Sequence, residues 1–201
     1  MSPAQYAALQ GFLPRRRGEW RLLHDTSVDG GVNHATFHTK CDGKGAGARA
    51  RMQAPVRAHE RAQTYARGHT RARAPAANTV VLMLDAEGSI YGGYADVAWH
   101  SSGEDTRSDA AFLFCLASSK APAVAPFKMP LNGTNNQTAI YGYSGYGAVF
   151  GGGHDLCMYP AGHVTCNIGS TYAPGPTTGA TISREWKVAV AAMEVWQLAD
   201  A

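Results

Sequence analysis

No Cys-x-x-Cys pair occurs in the chain, and four cysteines in 201 residues, Cys41, Cys115, Cys157 and Cys166, are too few for a disulfide scaffold. Free thiols are the expected state. No apolar run approaches the length that spans a bilayer. The first residues, Met1-Ser-Pro-Ala-Gln-Tyr-Ala-Ala-Leu-Gln10, lack a basic stretch leading into an apolar one. Arg15-Arg16-Arg17 follows the weakly apolar part, the wrong order for a secretory signal. The default expectation is an intracellular, cytoplasmic protein without a membrane span. Also missing is Gly-x-Ser-x-Gly, since Tyr143-Ser-Gly-Tyr-Gly147 does not match the strained turn that presents a nucleophilic serine.

What is present builds one domain. Forty-five per cent of residues are hydrophobic, enough for a core, and 23 glycines with 10 prolines point to many turns. The net charge of +3 conceals two unlike parts. Residues 47–77 hold seven arginines against one acid, Glu60, so +6 sits in this segment and −3 on the remainder.

That segment contains no Leu, Ile or Phe. Such a composition cannot bury enough apolar area to offset the entropy of ordering, so it is expected to be disordered. Clustered arginines would suit a nucleic-acid-binding arm, because they neutralise phosphates. Alanine and arginine are also both good helix formers. A third reading fits the pattern better. Ala, Thr, Met and Val alternate with Arg, His and Tyr, as in Thr64-Tyr-Ala-Arg67, and codons of alternating purine and pyrimidine generate those two classes in turn. The segment then reads as a translated simple repeat or a retained intron, and nucleic acid drops out as a partner.

Elsewhere the spacing predicts short elements. Tyr6, Leu9 and Leu13 at near-helical intervals before Pro14 indicate a helix over 3–13. Trp20-Arg-Leu-Leu-His24 reads as a strand, and Asn33 caps a helix running to Cys41 with Phe37 as its core anchor. Thr79–Leu84 and Ser89–Tyr94 flank Asp85-Ala-Glu-Gly88, a hairpin signal. Residues 111–116 form a buried strand, with further strands at 138–143, 148–150, 155–158 and 163–167. Asp105 to Asp109 reads as a solvated loop. Lys187–Leu198 is a strand despite its helix-favouring alanines, with Val188, Val190, Ala192, Glu194 and Trp196 on one face and Ala189, Ala191, Met193, Val195 and Leu198 mostly on the other. The class expected is mainly β (α+β), a two-sheet antiparallel β-sandwich flanked by short helices.

Phe150-Gly-Gly-Gly-His-Asp-Leu156 is the most informative stretch. Three consecutive glycines are tolerated where positive φ or close approach of a backbone or ligand is needed. The segment is either a tight strand-to-strand corner or a cradle for something small. It belongs to an ordered set: Trp20–His24 with Asp29-Gly30, Phe37-His-Thr-Lys-Cys-Asp-Gly-Lys-Gly45, Tyr91-Gly-Gly-Tyr94, Ser108-Asp-Ala-Ala-Phe-Leu-Phe114, the glycine stretch, and Met193-Glu-Val-Trp-Gln-Leu198. This set resembles the TLDc family, the domain of oxidation-resistance proteins and of protist proteins carrying TLD modules. The likeness makes 1–201 a single domain with its core at about 15–46 and 78–199, interrupted at 47–77. It implies the same sandwich and no established enzyme chemistry, hence no catalytic, cofactor-binding or metal-binding residues and no cofactor. It implies protection against oxidative stress and binding and regulation of the vacuolar proton-pumping ATPase, the leading partner. Its motif and structural positions here are Asp29, Gly30, Phe37, Cys41, Asp42, Gly43, Gly45, Gly92, Gly93, Ser108, Asp109, Phe112, Phe114, Phe150, Gly151, Gly152, Gly153, His154, Asp155 and Glu194.

The alternative is a small metal-dependent or thiol-based enzyme using His154/Asp155 or Cys41. Gly-Gly-Gly-His followed by an acid occurs in metal-dependent ureohydrolases, but those need Asp-x-His-x-Asp ligands that this chain lacks. His-x-x-Cys occurs at His38/Cys41, His154/Cys157 and His163/Cys166, a zinc-compatible pairing. On a flat strand, residues three apart face opposite ways, so the last two pairs converge only across a turn. Cys41 has Lys40 and Lys44 nearby but needs exposure to act as a redox thiol. Cys115 belongs to the core. Tyr141, Tyr143, Tyr146 and Phe150 either stack on a partner or pack beneath the corner.

Overall fold

The computed structural model describes residues 1–14, 18–42, 78–176, 182–183 and 185–200. The arginine-rich segment at 47–77, with Gly43 and Gly45, lies outside the described residues.

Ser2 opens the fold with a capping box: its hydroxyl accepts from the Gln5 N–H, and the Gln5 side chain accepts from the Ser2 N–H. Helix α1, Pro3–Phe12, follows with proline in its first turn, where the missing N–H costs nothing. Then come β1 (Gly18–Asp25) and α2 (His34–Cys41), whose Asn33 cap accepts from the Ala35 N–H as expected. The hairpin is β2 (Thr79–Asp85) and β3 (Ile90–Ala95). After it run β4 (Glu104–Thr106), β5 (Phe112–Ala117) and β6 (Phe127–Pro130). A single turn of 3-10 helix (Asn136–Thr138) leads into β7 (Ile140–Gly142), β8 (Val149–Phe150), β9 (Leu156–Met158), β10 (His163–Cys166) and β11 (Lys187–Asp200).

All pairings between these strands are antiparallel, in the order β4-β7-β8-β9-β10-β11-β2-β3-β5-β6, with β1 also on β11. The path folds over itself into two layers, and β11 belongs to both. Residues 187–189 pair with β10 in one layer, while 190–197 pair with β2 and 194–200 with β1 in the other. The layers meet face to face. A Cβ built on Gly93 of β3 would lie 2.5 Å from the Phe150 ring of β8. Their shared core includes Val81, Met83, Tyr91, Leu113, Ile140, Phe150, Leu156 and Val164, with Phe37 of α2 closing one end. A second cluster covers the other face of the β2–β3–β5 layer: Leu9 and Leu13 pack on Val80, Tyr94, Phe112, Phe114 and Trp196.

Two expectations are corrected. The stretch from Asp105 includes β4, a short edge strand pairing with β7, rather than a loop throughout; its acidic composition hides it from a hydrophobic pattern. In β11 the register shifts between Val190 and Ala192. This bulge reverses the alternation, so Val188 and Val190 join Met193 and Val195 in the inter-layer core instead of sharing a face with Trp196. β6 carried no sequence signal: it is an edge strand ending in Pro130.

Candidate functional site

The glycine run is a corner between β8 and β9, and its glycines are required by protein neighbours. Gly151 has φ +86°. Side chains on the next two would meet other parts of the chain: Gly152 would place a Cβ 2.6 Å from Thr138 Oγ1, and Gly153 one 2.5 Å from Ser170 Cβ. His154 takes φ +56°, in the left-handed region that few non-glycine residues enter. That turn sends His154 outward and Asp155 inward. Asp155 is fully buried, and its carboxylate accepts from the backbone N–H groups of Ser170 (3.1 Å), Thr171 (2.8 Å) and Tyr172 (2.7 Å). It therefore fastens the 170–172 loop to the corner. The paired histidine and acid point to opposite sides and share no ligand.

Outside the corner lies an aromatic surface. His154 stacks on Tyr141 at 5.9 Å and meets Tyr146 edge-on at 5.5 Å. Tyr143, 42% exposed, stacks on Tyr141 at 6.0 Å and meets Tyr146 at 5.3 Å. With Asp105 and Gly152 these residues line a shallow depression of about 450 Å³. The expected aromatic cluster thus divides. Phe150 is in the core against Trp99 and Tyr172, and only the tyrosines reach the surface.

His38 holds this surface from behind. Its Nε2 donates to the carbonyls of Tyr143 (3.0 Å) and Tyr146 (2.8 Å), and its Nδ1 donates to Asp42 at 2.9 Å. Burial opposes the charged imidazolium, but the Asp42 carboxylate and the two carbonyls prevail, so the His38 pKa is raised. Ser101 lies at the same nitrogen, 3.0 Å from Nδ1, and its hydroxyl donates to Asp42. A serine nucleophile needs the ring nitrogen opposite the acid. Here both sit on Nδ1, so the trio is a clamp tying α2 to the 143–146 turn.

The other motif residues are structural in the same sense. Asp29 accepts from His24 Nδ1 and the Asp25 N–H and pairs with Lys40, each at 3.0 Å, so it joins the end of β1 to α2. Burial pushes Asp29 up, yet these partners outweigh it and its pKa is lowered; burial dominates at His24, whose pKa is also lowered. Gly30 has φ +85°. Ser108 accepts from the Ala110 and Ala111 N–H groups and donates to Asp96, while Asp109 pairs with Arg107 at the surface. Gly92 is forced by the Val81 carbonyl, onto which a Cβ would fall. Phe112 and Phe114 lie in the cluster that packs under α1. Glu194 accepts from Trp196 Nε1 at 2.8 Å, and burial raises its pKa.

The cysteines are buried as thiols. Cys41 is in the inter-layer core, without the exposure that a redox thiol requires. Burial pushes Cys115, Cys157 and Cys166 up to about 12. His154, in the turn, and Cys157, in β9, separate to the surface and the core, so the turn does not bring them together. Among the described residues, no three His, Cys, Asp or Glu side chains gather as a metal-holding group. Sequence reasoning missed Asp105, Ser101 and the role of His38. The available signal was the alternate spacing of Tyr141, in β7, and Tyr143, just beyond its end.

The family model for the TLDc domain matches residues 65–199, more than half of the chain. The match begins inside the arginine-rich segment, and α1, β1 and α2 precede it. No curated protein matches the chain significantly. The chain belongs to the TLDc domain family.

Proposed function

We propose that this TLDc domain is a non-catalytic protein-interaction module serving oxidative-stress protection, with the vacuolar proton-pumping ATPase as leading partner. The observation that carries the reading is the aromatic surface at the glycine corner. Tyr143 and Tyr146 face outward from a turn fixed by His38, beside Tyr141 of β7, and anchored tyrosines are typical of binding hot spots. The partner and the oxidative-stress role come from the family's associations. Of the groups named for the enzyme alternative, Asp155 and Cys41 have structural places, while the His154 ring packs on Tyr141 and Tyr146. Asp155 is saturated by backbone N–H groups, both nitrogens of His38 are engaged, and Cys41 is buried.

Affinity capture with the full chain, and with residues 47–77 deleted, tests this. Both forms should recover pump subunits. Recovery by neither would sink the partner assignment, and recovery by the full chain alone would transfer binding to the arginine-rich segment.

A further inference from the structure

We infer that the depression between Asp105, Tyr141, Tyr143, Tyr146 and His154 is a receptor for an arginine side chain of a partner protein. The inference rests on the interaction-module reading and specifies what that surface recognises.

Three features define the chemistry. The first is the set of ring faces. Tyr141 lies nearly parallel to both Tyr143 (21°) and His154 (27°), while Tyr146 stands edge-on to Tyr143 (67°) and His154 (79°). Faces of electron-rich rings attract a cation held within about 6 Å. Lys187 already does so at a neighbouring ring, its Nζ lying 5.8 Å from the centre of Tyr159. Tyr159 in turn packs on Tyr146 at 5.1 Å.

The second feature is charge. Asp105 pairs directly opposite Tyr141 across β4 and β7, so the two side chains share a face. Its carboxylate is exposed and makes no hydrogen bond or ion pair with any described residue. Behind the turn, the charge of His38 is balanced by Asp42. The depression therefore presents a directly unpaired carboxylate beside aromatic faces, which favours a cation over a phosphate or carboxylate.

The third is hydrogen bonding. None of the Tyr141, Tyr143 or Tyr146 hydroxyls bonds to a described residue. An apolar side chain would cover these groups without replacing their water. A guanidinium satisfies all three features together: its plane stacks on a tyrosine face, and its fork of N–H donors engages the carboxylate. An ammonium provides the charge without the plane.

The test uses the full chain labelled with 3-fluorotyrosine, the tyrosine signals being assigned by Tyr→Phe variants. The probes are the blocked tripeptides acetyl-Gly-Arg-Gly-amide and its citrulline counterpart, which keeps the shape and loses the charge. The arginine peptide should shift the Tyr141, Tyr143 and Tyr146 fluorine resonances saturably, and the citrulline peptide should bind much more weakly. Tyr143→Ala should weaken binding about 2- to 5-fold, the value of one exposed cation–π contact. Asp105→Asn should also weaken it and flatten its salt dependence, whereas Tyr143→Phe, which keeps the ring, should bind nearly as wild type. Both positions are exposed, so matched melting curves will confirm that the variants fold. Equal binding of the two peptides, or wild-type affinity in Tyr143→Ala and Asp105→Asn, overturns the inference. Pump capture unchanged by these two substitutions also overturns it and leaves the interaction module standing. Arginine-selective binding by a chain that captures no pump removes that partner and supports the receptor.

Discussion

Asp155→Ala removes the acceptor for three backbone N–H groups at once, those of Ser170, Thr171 and Tyr172. The bonds to Thr171 and Tyr172 are buried, whereas that to Ser170 is partly open to water. A buried donor left unsatisfied costs about 1–3 kcal/mol. The two buried donors together therefore cost roughly 2–6 kcal/mol, with the third replaced by solvent. Against a total stability of about 5–15 kcal/mol, this is a large fraction. Asp155→Asn supplies the finer comparison. Its carbonyl oxygen can take the Oδ2 position and keep both buried bonds, while its amide confronts the Ser170 N–H donor-to-donor. That loss should be about 1–3 kcal/mol, at the partly exposed site. Urea denaturation of the purified chain reads both values. With a slope of about 1–3 kcal/mol per molar urea, Asp155→Ala should lower the midpoint by on the order of 1 M or more, with Asp155→Asn between it and wild type. A loss below about 1 kcal/mol for Asp155→Ala would mean that the 170–172 loop is not fastened by this carboxylate. Equal losses for the two variants would mean that hydrogen-bond count does not set the cost.

Three further outcomes are expected. Because the folded-state pKa of His38 is raised, its contribution is full below the unfolded value of about 6.5 and disappears as pH rises through the folded value. The stability gap between wild type and His38→Gln should thus be wider at pH 6 than at pH 9, and a gap that widens with pH would contradict the clamp. Gly93→Val drives a branched side chain into the Phe150 ring, so melting should report a loss of at least about 1–3 kcal/mol, with Gly93→Ala milder. Ending the chain before Lys187 strips β1, β2 and β10 of their partner strand and should give aggregation; a soluble, cooperatively folding 1–186 fragment would refute the central place of β11.

The frame was legible because its signals are local. Asn33 caps α2 two residues from the N–H it bonds, and Asp85-Ala-Glu-Gly88 closes a hairpin between two largely apolar runs. What escaped depends on residues far apart in the chain. His38 reads as a polar residue on a short helix until the fold brings the Tyr143 and Tyr146 carbonyls to it, 105 and 108 positions away. The glycine run announced close approach but could not name Thr138 and Ser170 as the approaching groups. In β11 the alternating pattern was correct on each side of the bulge and wrong in phase across it, since one extra residue moves every later side chain to the other face. β4 was lost for the opposite reason. Edge strands avoid the apolar alternation by which strands are recognised, and Glu104 and Asp105 are such edge charges.

The corner joins these levels, because its stability and the aromatic surface proposed for recognition rest on the same backbone turn. Gly151 and His154 both take positive φ, and between them the chain reverses so tightly that neighbouring residues face opposite ways. Asp155 turns inward and is consumed by the 170–172 loop, while His154 turns outward and supports the rings of Tyr141 and Tyr146. His154 keeps its left-handed φ beside a residue whose carboxylate is fixed by three backbone N–H groups. His38 makes the corresponding restraint from the other side, fixing the carbonyls of the residues whose rings are presented. The tyrosines are thereby held before any partner arrives. Aromatic groups already ordered lose little further entropy on binding, so contacts made there convert more fully into affinity than the same rings on a free loop would.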